Sequence, residues 1–340
     1  MIVVNTRTRI LVLVAVCVLV IGAAVAYIVT SRVHQTAERA QVSPAAQTSL
    51  ADVTDGPHIV FRSTNKKSNY GQVAVVSLAD PSGPRAFTAA VCDRVYAAQQ
   101  RYLCLSSSAG IVQKYSANVL NSAFDNEQTL PLTGIPSRAR LSHDGNLAAT
   151  TTFTVGDSYV STTFSTQTLI TRIGGDSYGT LENFTLMHAG QKIAPIDRNF
   201  WGVTFAADDD TFYATVEWSQ HTWLVKGSLS QRLVTTLRED AECPSLSPDG
   251  QHIVYKRRGN LPAGQWRLVR YDVATGQVTL LGETRSVDDQ VEWLDDSHVL
   301  YGIPRTGPEA GTSDVWDLPT DGSGQPTRLI PEAWSPSVVR

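Results

Sequence analysis

Basic residues are scarce in this chain. Lys and Arg number 28 against 32 Asp and Glu, a formal net charge of −4 over 340 residues. A protein that neutralises phosphates needs a basic surface, so nucleic acid is excluded as the main partner. Charge of either sign is sparse, at 18% of residues, and methionine occurs twice. Thr, Ser, Val and Gly fill the space instead, a mix that favours strands and turns over solvated helices. Metal signatures are missing as well. The seven His residues contain no His-x-His or His-Glu-x-x-His pair, and His58 and His252 occupy equivalent repeat positions. No cofactor is expected.

One long apolar run is present, from Ile10 to Val29, without a charge. It is long enough to cross a bilayer as a helix. Arg7 and Arg9 precede it and Arg32 and Arg39 follow, which leaves residues 1–9 as a cytoplasmic N-terminus. Ala24-Val25-Ala26 has the small-x-small form of a signal-peptide cleavage site. The run continues through Tyr27, Ile28 and Val29, which favours an uncleaved anchor. Either way the rest of the chain is exported. Residues 30–56 are rich in Gln, Ala, Ser and Thr and read as a flexible linker.

Residues 57–340 carry a repeat. Pro244-Ser245-Leu246-Ser247-Pro248-Asp249-Gly250 leads into His252-Ile253-Val254-Tyr255. This is a short strand, a tight turn and an apolar β-branched strand. The frame recurs around Val95, Leu141, Phe205, Trp293 and Trp334, and with Leu246 the spacings are 46, 64, 41, 47 and 41. A four-stranded propeller blade needs roughly 40 to 50 residues. The last copy, Ala333-Trp334-Ser335-Pro336-Ser337, is a first strand without a second. The first, His58-Ile59-Val60-Phe61, is a second strand without a first. Joining them restores a spacing of about 45 and removes an unpaired edge at the seam. The expected fold is therefore an all-β, six-bladed propeller closed by pairing of its N- and C-terminal strands, behind one transmembrane helix. The longest interval implies an insertion at about 174 to 200.

The frame Pro244 to Tyr255 resembles the WD40-like (PD40) repeat of TolB-type propellers. Trp316-Asp317 and Tyr271-Asp272 resemble the end of a WD40 repeat's third strand, but the Gly-His dipeptide of that family is absent. The resemblance implies an exported propeller that binds protein partners at the cell envelope. The TolB N-terminal α/β domain has no counterpart, because the linker leaves no room for it.

Candidate chemistry is thin. Gly175-Asp176-Ser177-Tyr178-Gly179 matches the Gly-x-Ser-x-Gly nucleophile elbow. The elbow needs a strand, a sharp turn and a helix, and only β repeats follow, so the motif reads as a glycine-rich loop. Asp208-Asp209-Asp210, Asp288-Asp289 and Asp295-Asp296 could offer oxygens to Ca²⁺, but Asp also suits turns and no Asp-x-Asp-x-Asp-Gly loop is present. Cys92 and Cys104 fall on adjacent strands in a diagonal relation, and are the one possible disulfide; Cys243 lies three blades away and is expected reduced and buried. Trp293 and Trp334 occupy a buried repeat position, whereas Trp201, Trp218 and Trp223 could line a surface.

These features point to a membrane-anchored, extracytoplasmic binding or scaffold module and name no catalytic residue. Its partner would be an envelope protein or a small ligand. The alternative is a propeller enzyme acting on polysaccharide or peptide at the channel mouth, which requires polar groups with perturbed pKa values to converge there.

Overall fold

The Ser-x-Asp-Gly turn organises the strands around it. Asp249 Oδ1 accepts from the Gln251 amide at 3.0 Å, and Ser247 Oγ accepts from the His252 amide at 2.9 Å. The copy at Ser142-His143-Asp144-Gly145 makes the same pair of bonds, to Asn146 N at 3.0 Å and Leu147 N at 2.9 Å. Gly250 and Gly145 supply the positive φ, 71° and 73°, that turns the chain back.

The computed structural model describes residues 7, 16–20, 22, 46–108, 110, 113–156, 158–159 and 164–340. It divides into two units. One holds residues 1–44 and 66–68, and its described residues 7, 16–20 and 22 are helical. The other holds residues 45–65 and 69–340. The expected span 10–29 lies outside the described residues except for 16–20 and 22. Among the described residues no helix is long and apolar enough to cross a membrane.

The larger unit is a ring of six antiparallel blades. Blade 1 is ordered Ala333–Val339, His58–Ser63, Gln72–Ser77, Ala86–Val91 from inner to outer strand. Blade 2 runs Arg94–Ala98, Arg101–Ser108, Lys114–Leu120, Asn126–Leu130, and blade 3 Ile135–Leu141, Leu147–Val155, Ser165–Arg172, Ser177–Thr180. Blade 4 runs Asn199–Phe205, Thr211–Trp218, His221–Ser228, Leu233–Glu239 and carries two further strands outside them. Blade 5 is Glu242–Leu246, His252–Arg257, Arg267–Asp272, Val278–Leu280; blade 6 is Glu292–Trp293, His298–Pro304, Ser313–Pro319, Thr327–Ile330. The inner strands touch in ring order.

The seam closes as the repeat requires. His58 pairs with Val339, Ile59 with Val338 and Ser63 with Ala333. Ser337 Oγ then locks blade 1 to blade 2, donating to Ala97 O and accepting from Ala97 N, both at 2.9 Å. The hydrophobic core lies between blades. Val254 and Leu268 of blade 5 pack against Trp293, Tyr301 and Leu318 of blade 6. Each such side chain contributes about 1.5–3 kcal/mol through burial.

Three details differ from the sequence reading. The last part of the linker is structured: Ala46 and Thr48 hydrogen-bond Arg85, and helix Leu50–Thr54 buries Val53 behind a Ser49–Asp52 capping box. Trp334 is half-buried rather than core, because it lies over Gly302, where a Cβ would meet its ring at 2.2 Å, and under the Arg94 guanidinium. Ser177 sits on the outer strand of blade 3, not in a loop, and its Oγ donates to Ile170 O at 3.2 Å.

Candidate functional site

Two places concentrate chemistry: the channel axis and the insertion on blade 4. The channel is filled with charge. Arg94 comes from the inner strand of blade 2, Arg138 and Arg140 from blade 3, Glu242 and Glu292 from blades 5 and 6. Arg140 Nη1 bonds Glu292 Oε2 at 2.7 Å. Blades 3 and 6 are opposite in a ring of six, so this bond spans the channel itself.

The connection from blade 5 to blade 6, residues 281–291, closes over it. Asp289 reaches Arg94 of blade 2 at 3.2 Å and the Gly302 amide of blade 6 at 3.0 Å. Asp288 reaches Arg138 of blade 3 at 3.2 Å and Lys256 of blade 5 at 2.8 Å. Gln290 donates to Val203 O and Pro244 O, on blades 4 and 5, at 2.9 and 2.8 Å. One connection therefore ties five blades together. The Asp288-Asp289 pair was legible in the sequence only as an acidic dipeptide.

The electrostatics are those of a lock. Burial alone would push the Asp288 carboxyl up, but Lys256 and Arg138 outweigh it and hold it well below the usual carboxylate range. Burial would lower the Lys256 ammonium, yet Asp288 and Glu242 keep it above its ordinary value. Its side chain is wholly buried and lies 4.1 Å from the Trp266 ring centre. Both groups stay charged at neutral pH, whereas an acid–base catalyst needs a pKa near the working pH.

The other acidic clusters serve turns. Asp208 Oδ1 accepts from Asp210 N and Thr211 N, and Asp295 Oδ1 from Ser297 N and His298 N. Among the described residues no group of three His, Cys, Asp or Glu could hold a metal. Cys92 and Cys104 are disulfide-bonded, with Cα atoms 5.4 Å apart, and Cys243 is free and buried.

The insertion is a hairpin. Thr185–His188 and Gln191–Ile193 pair across Ala189-Gly190, both at positive φ, 49° and 77°. Thr185–His188 lies parallel to Leu233–Glu239 and extends blade 4 to six strands. The hairpin faces the tip of Thr211–Trp218 and His221–Ser228. Trp218 and Trp223 stack there, with centroids 5.4 Å apart and planes 9° apart, and His188 stands edge-on to both at 5.3 and 4.7 Å. The result is an open cleft of about 500 Å³. Ile193 and Pro195 complete its apolar wall, and His221 and Glu239 its polar rim, joined at 2.5 Å. Next to it Ile196 is fully exposed, on a segment that the Arg198 guanidinium fixes through Pro195 O and Glu182 O. Trp218 and Trp223 thus line a surface, and Trp201 is buried, 1% exposed.

No protein-family model matches the chain, and no curated protein matches it. Solved structures do. TolB from Acinetobacter baumannii matches with a TM-score of 0.54 and 15% identity, over 84% of this chain and 66% of that one. The chain thus spans just under two thirds of that TolB's length. A chain of a nidogen/laminin complex matches with a TM-score of 0.56 and 11% identity, over 83% and 98%. A putative TolB from Agrobacterium tumefaciens matches at 0.48 and 14%, over 80% and 88%. At these identities the likeness is one of fold: the described residues form a TolB-like six-bladed propeller.

Proposed function

We propose that this chain is a protein-binding propeller held at the outer side of a membrane by residues 10–29, and that its contact surface is the cleft on blade 4. The observation that carries the reading is the pairing of an open aromatic cleft with a fully exposed Ile196 on one inserted segment. Half-buried Trp side chains lining an open cleft, beside an exposed Ile and a polar rim, are what partner surfaces present. The insertion is also the largest departure from the blade period, where variation costs the ring least. The apolar run Ile10–Val29 supports the tether.

The enzyme reading draws on the charged channel. Its groups are paired with one another across the ring, and the Asp288–Lys256 pair is driven away from neutrality, which favours a structural lock.

A photo-crosslinking residue placed at Ile196 of the full-length protein in its native membrane tests the reading. A discrete protein adduct at 196, absent with the crosslinker at the exposed Thr275 in the turn between the two outer strands of blade 5, supports it. Equal labelling at both positions, or none, overturns it. Membrane fractionation of the full chain against residues 45–340 tests the tether.

A further inference from the structure

The inserted hairpin leaves an edge beside the cleft. In a two-residue hairpin the pair that closes the turn, here His188 and Gln191, exchanges both main-chain bonds. The next pair, Met187 and Lys192, does not, so the Lys192 N–H and C=O point away from the sheet. Gln191–Ile193 is the outermost strand of blade 4, and among the described residues no strand pairs with its outer edge. Side chains alternate along a strand, so the neighbours of Lys192 share the face on which Ile193 lines the cleft. The free edge and the aromatic cleft are therefore parts of one surface.

We infer that this surface takes an extended segment of a protein partner, which adds a strand at Lys192 and places a large apolar side chain against Trp218 and Trp223. The inference rests on the protein-binding reading and names its mode. Main-chain bonds to an open edge supply affinity and pockets for alternate side chains supply selectivity. Glu239, bonded to His221, is the carboxylate at the cleft rim and no Lys or Arg lines the cleft, so the segment carries a basic residue near its anchor. Lys192 itself keeps a three-residue edge from pairing indiscriminately, so selectivity must come from the cleft. A glycan could also stack on indole, but it has no main chain to satisfy the edge.

The test is selection of a phage-displayed random dodecapeptide library on the full-length protein in detergent micelles, alongside cellohexaose, chitohexaose and maltohexaose read by tryptophan fluorescence. Enriched peptides should share an aromatic or large aliphatic residue close to Lys or Arg. Their affinity should fall about tenfold or more in Trp223→Ala and in Lys192→Pro, which removes the outward N–H. Glu239→Lys should move the enrichment from basic to acidic residues. Lys192 is exposed and Glu239 lies at the rim, so these two carry the test if Trp223→Ala does not fold. Peptides insensitive to Lys192→Pro and Glu239→Lys overturn the inference, as does failure to enrich any peptide. Oligosaccharide binding without peptide enrichment assigns the cleft to glycans and overturns it too. If the Ile196 protein adduct persists while peptide enrichment fails, the protein-binding reading stands and only the strand-addition mode falls.

Discussion

Lys256 Nζ stands 2.8 Å from Asp288 Oδ1, an ammonium with no exposed surface against a carboxylate with 43% of its side chain exposed. The inequality decides which partner matters more. Asp288→Asn leaves the buried ammonium only the more distant Glu242, at 3.9 Å, and weakens Arg138 as well, and should cost about 1–3 kcal/mol, less than a fully buried pair because Asp288 meets water. Lys256→Met leaves Asp288 its bond to Arg138 and fills the space with an apolar chain, and should cost less. Urea unfolding of both variants measures the order; the reverse order would show that the charge on Asp288 is dispensable.

The Cys92–Cys104 bond closes a short loop, with a sequence separation of 12. Opening it releases chain entropy in the unfolded state worth about 2–4 kcal/mol. The double substitution Cys92→Ser, Cys104→Ser should lower the melting temperature by that equivalent, and a reductant should do the same to the parent. Cys243, free and buried, should leave the result unchanged when replaced by Ala.

Glu182 gives a pH signature. Burial pushes its carboxyl up from 4.5 to about 7, against lowering by backbone donors and Arg198. Between those values the folded chain holds a proton that the unfolded chain has lost, so this group's contribution to stability grows as pH falls from above 7 toward 4.5. Glu182→Gln should therefore be more stable than the parent at pH 8, by on the order of 1 kcal/mol, with the advantage gone near pH 4.5. A difference that stays constant across that window would remove Glu182 as its source.

Ring closure can be cut at two scales. Removal of residues 333–340 takes away the inner strand of blade 1 and should lower the melting temperature by at least about 10 °C. Ser337→Ala removes one hydroxyl that satisfies both main-chain groups of Ala97, and should cost about 1–3 kcal/mol. A truncated chain that melts like the parent would contradict the seam.

The blades were legible because a turn with its own chemistry, Ser247 to Gly250 and its copies, marks them at spacings of 41 to 47 in every interval but the one of 64 that holds the insertion. The seam was legible for the same reason, as two half-repeats. The channel lock was not. Arg94, Arg138, Arg140 and Asp288 sit at unlike places in their blades, and a one-residue error in register would turn each inner-strand side chain away from the axis. Trp218 and Trp223 could be named as unconstrained, but their partner His188 belongs to strands of four and three residues, too short for a period to show. The Ala189-Gly190 turn between them was the signal available.

The pairing of Ala333–Val339 with His58–Ser63 also sets a timetable. A chain made from its N-terminus produces His58–Ser63 before any other strand of the ring and its partner after all of them. Throughout synthesis of five blades, that strand's inner edge has nothing to bond. Edges left open in this way invite pairing with other chains. The last strand of the ring to be made is thus the one that ends the period of risk, and anything that delays it prolongs that period.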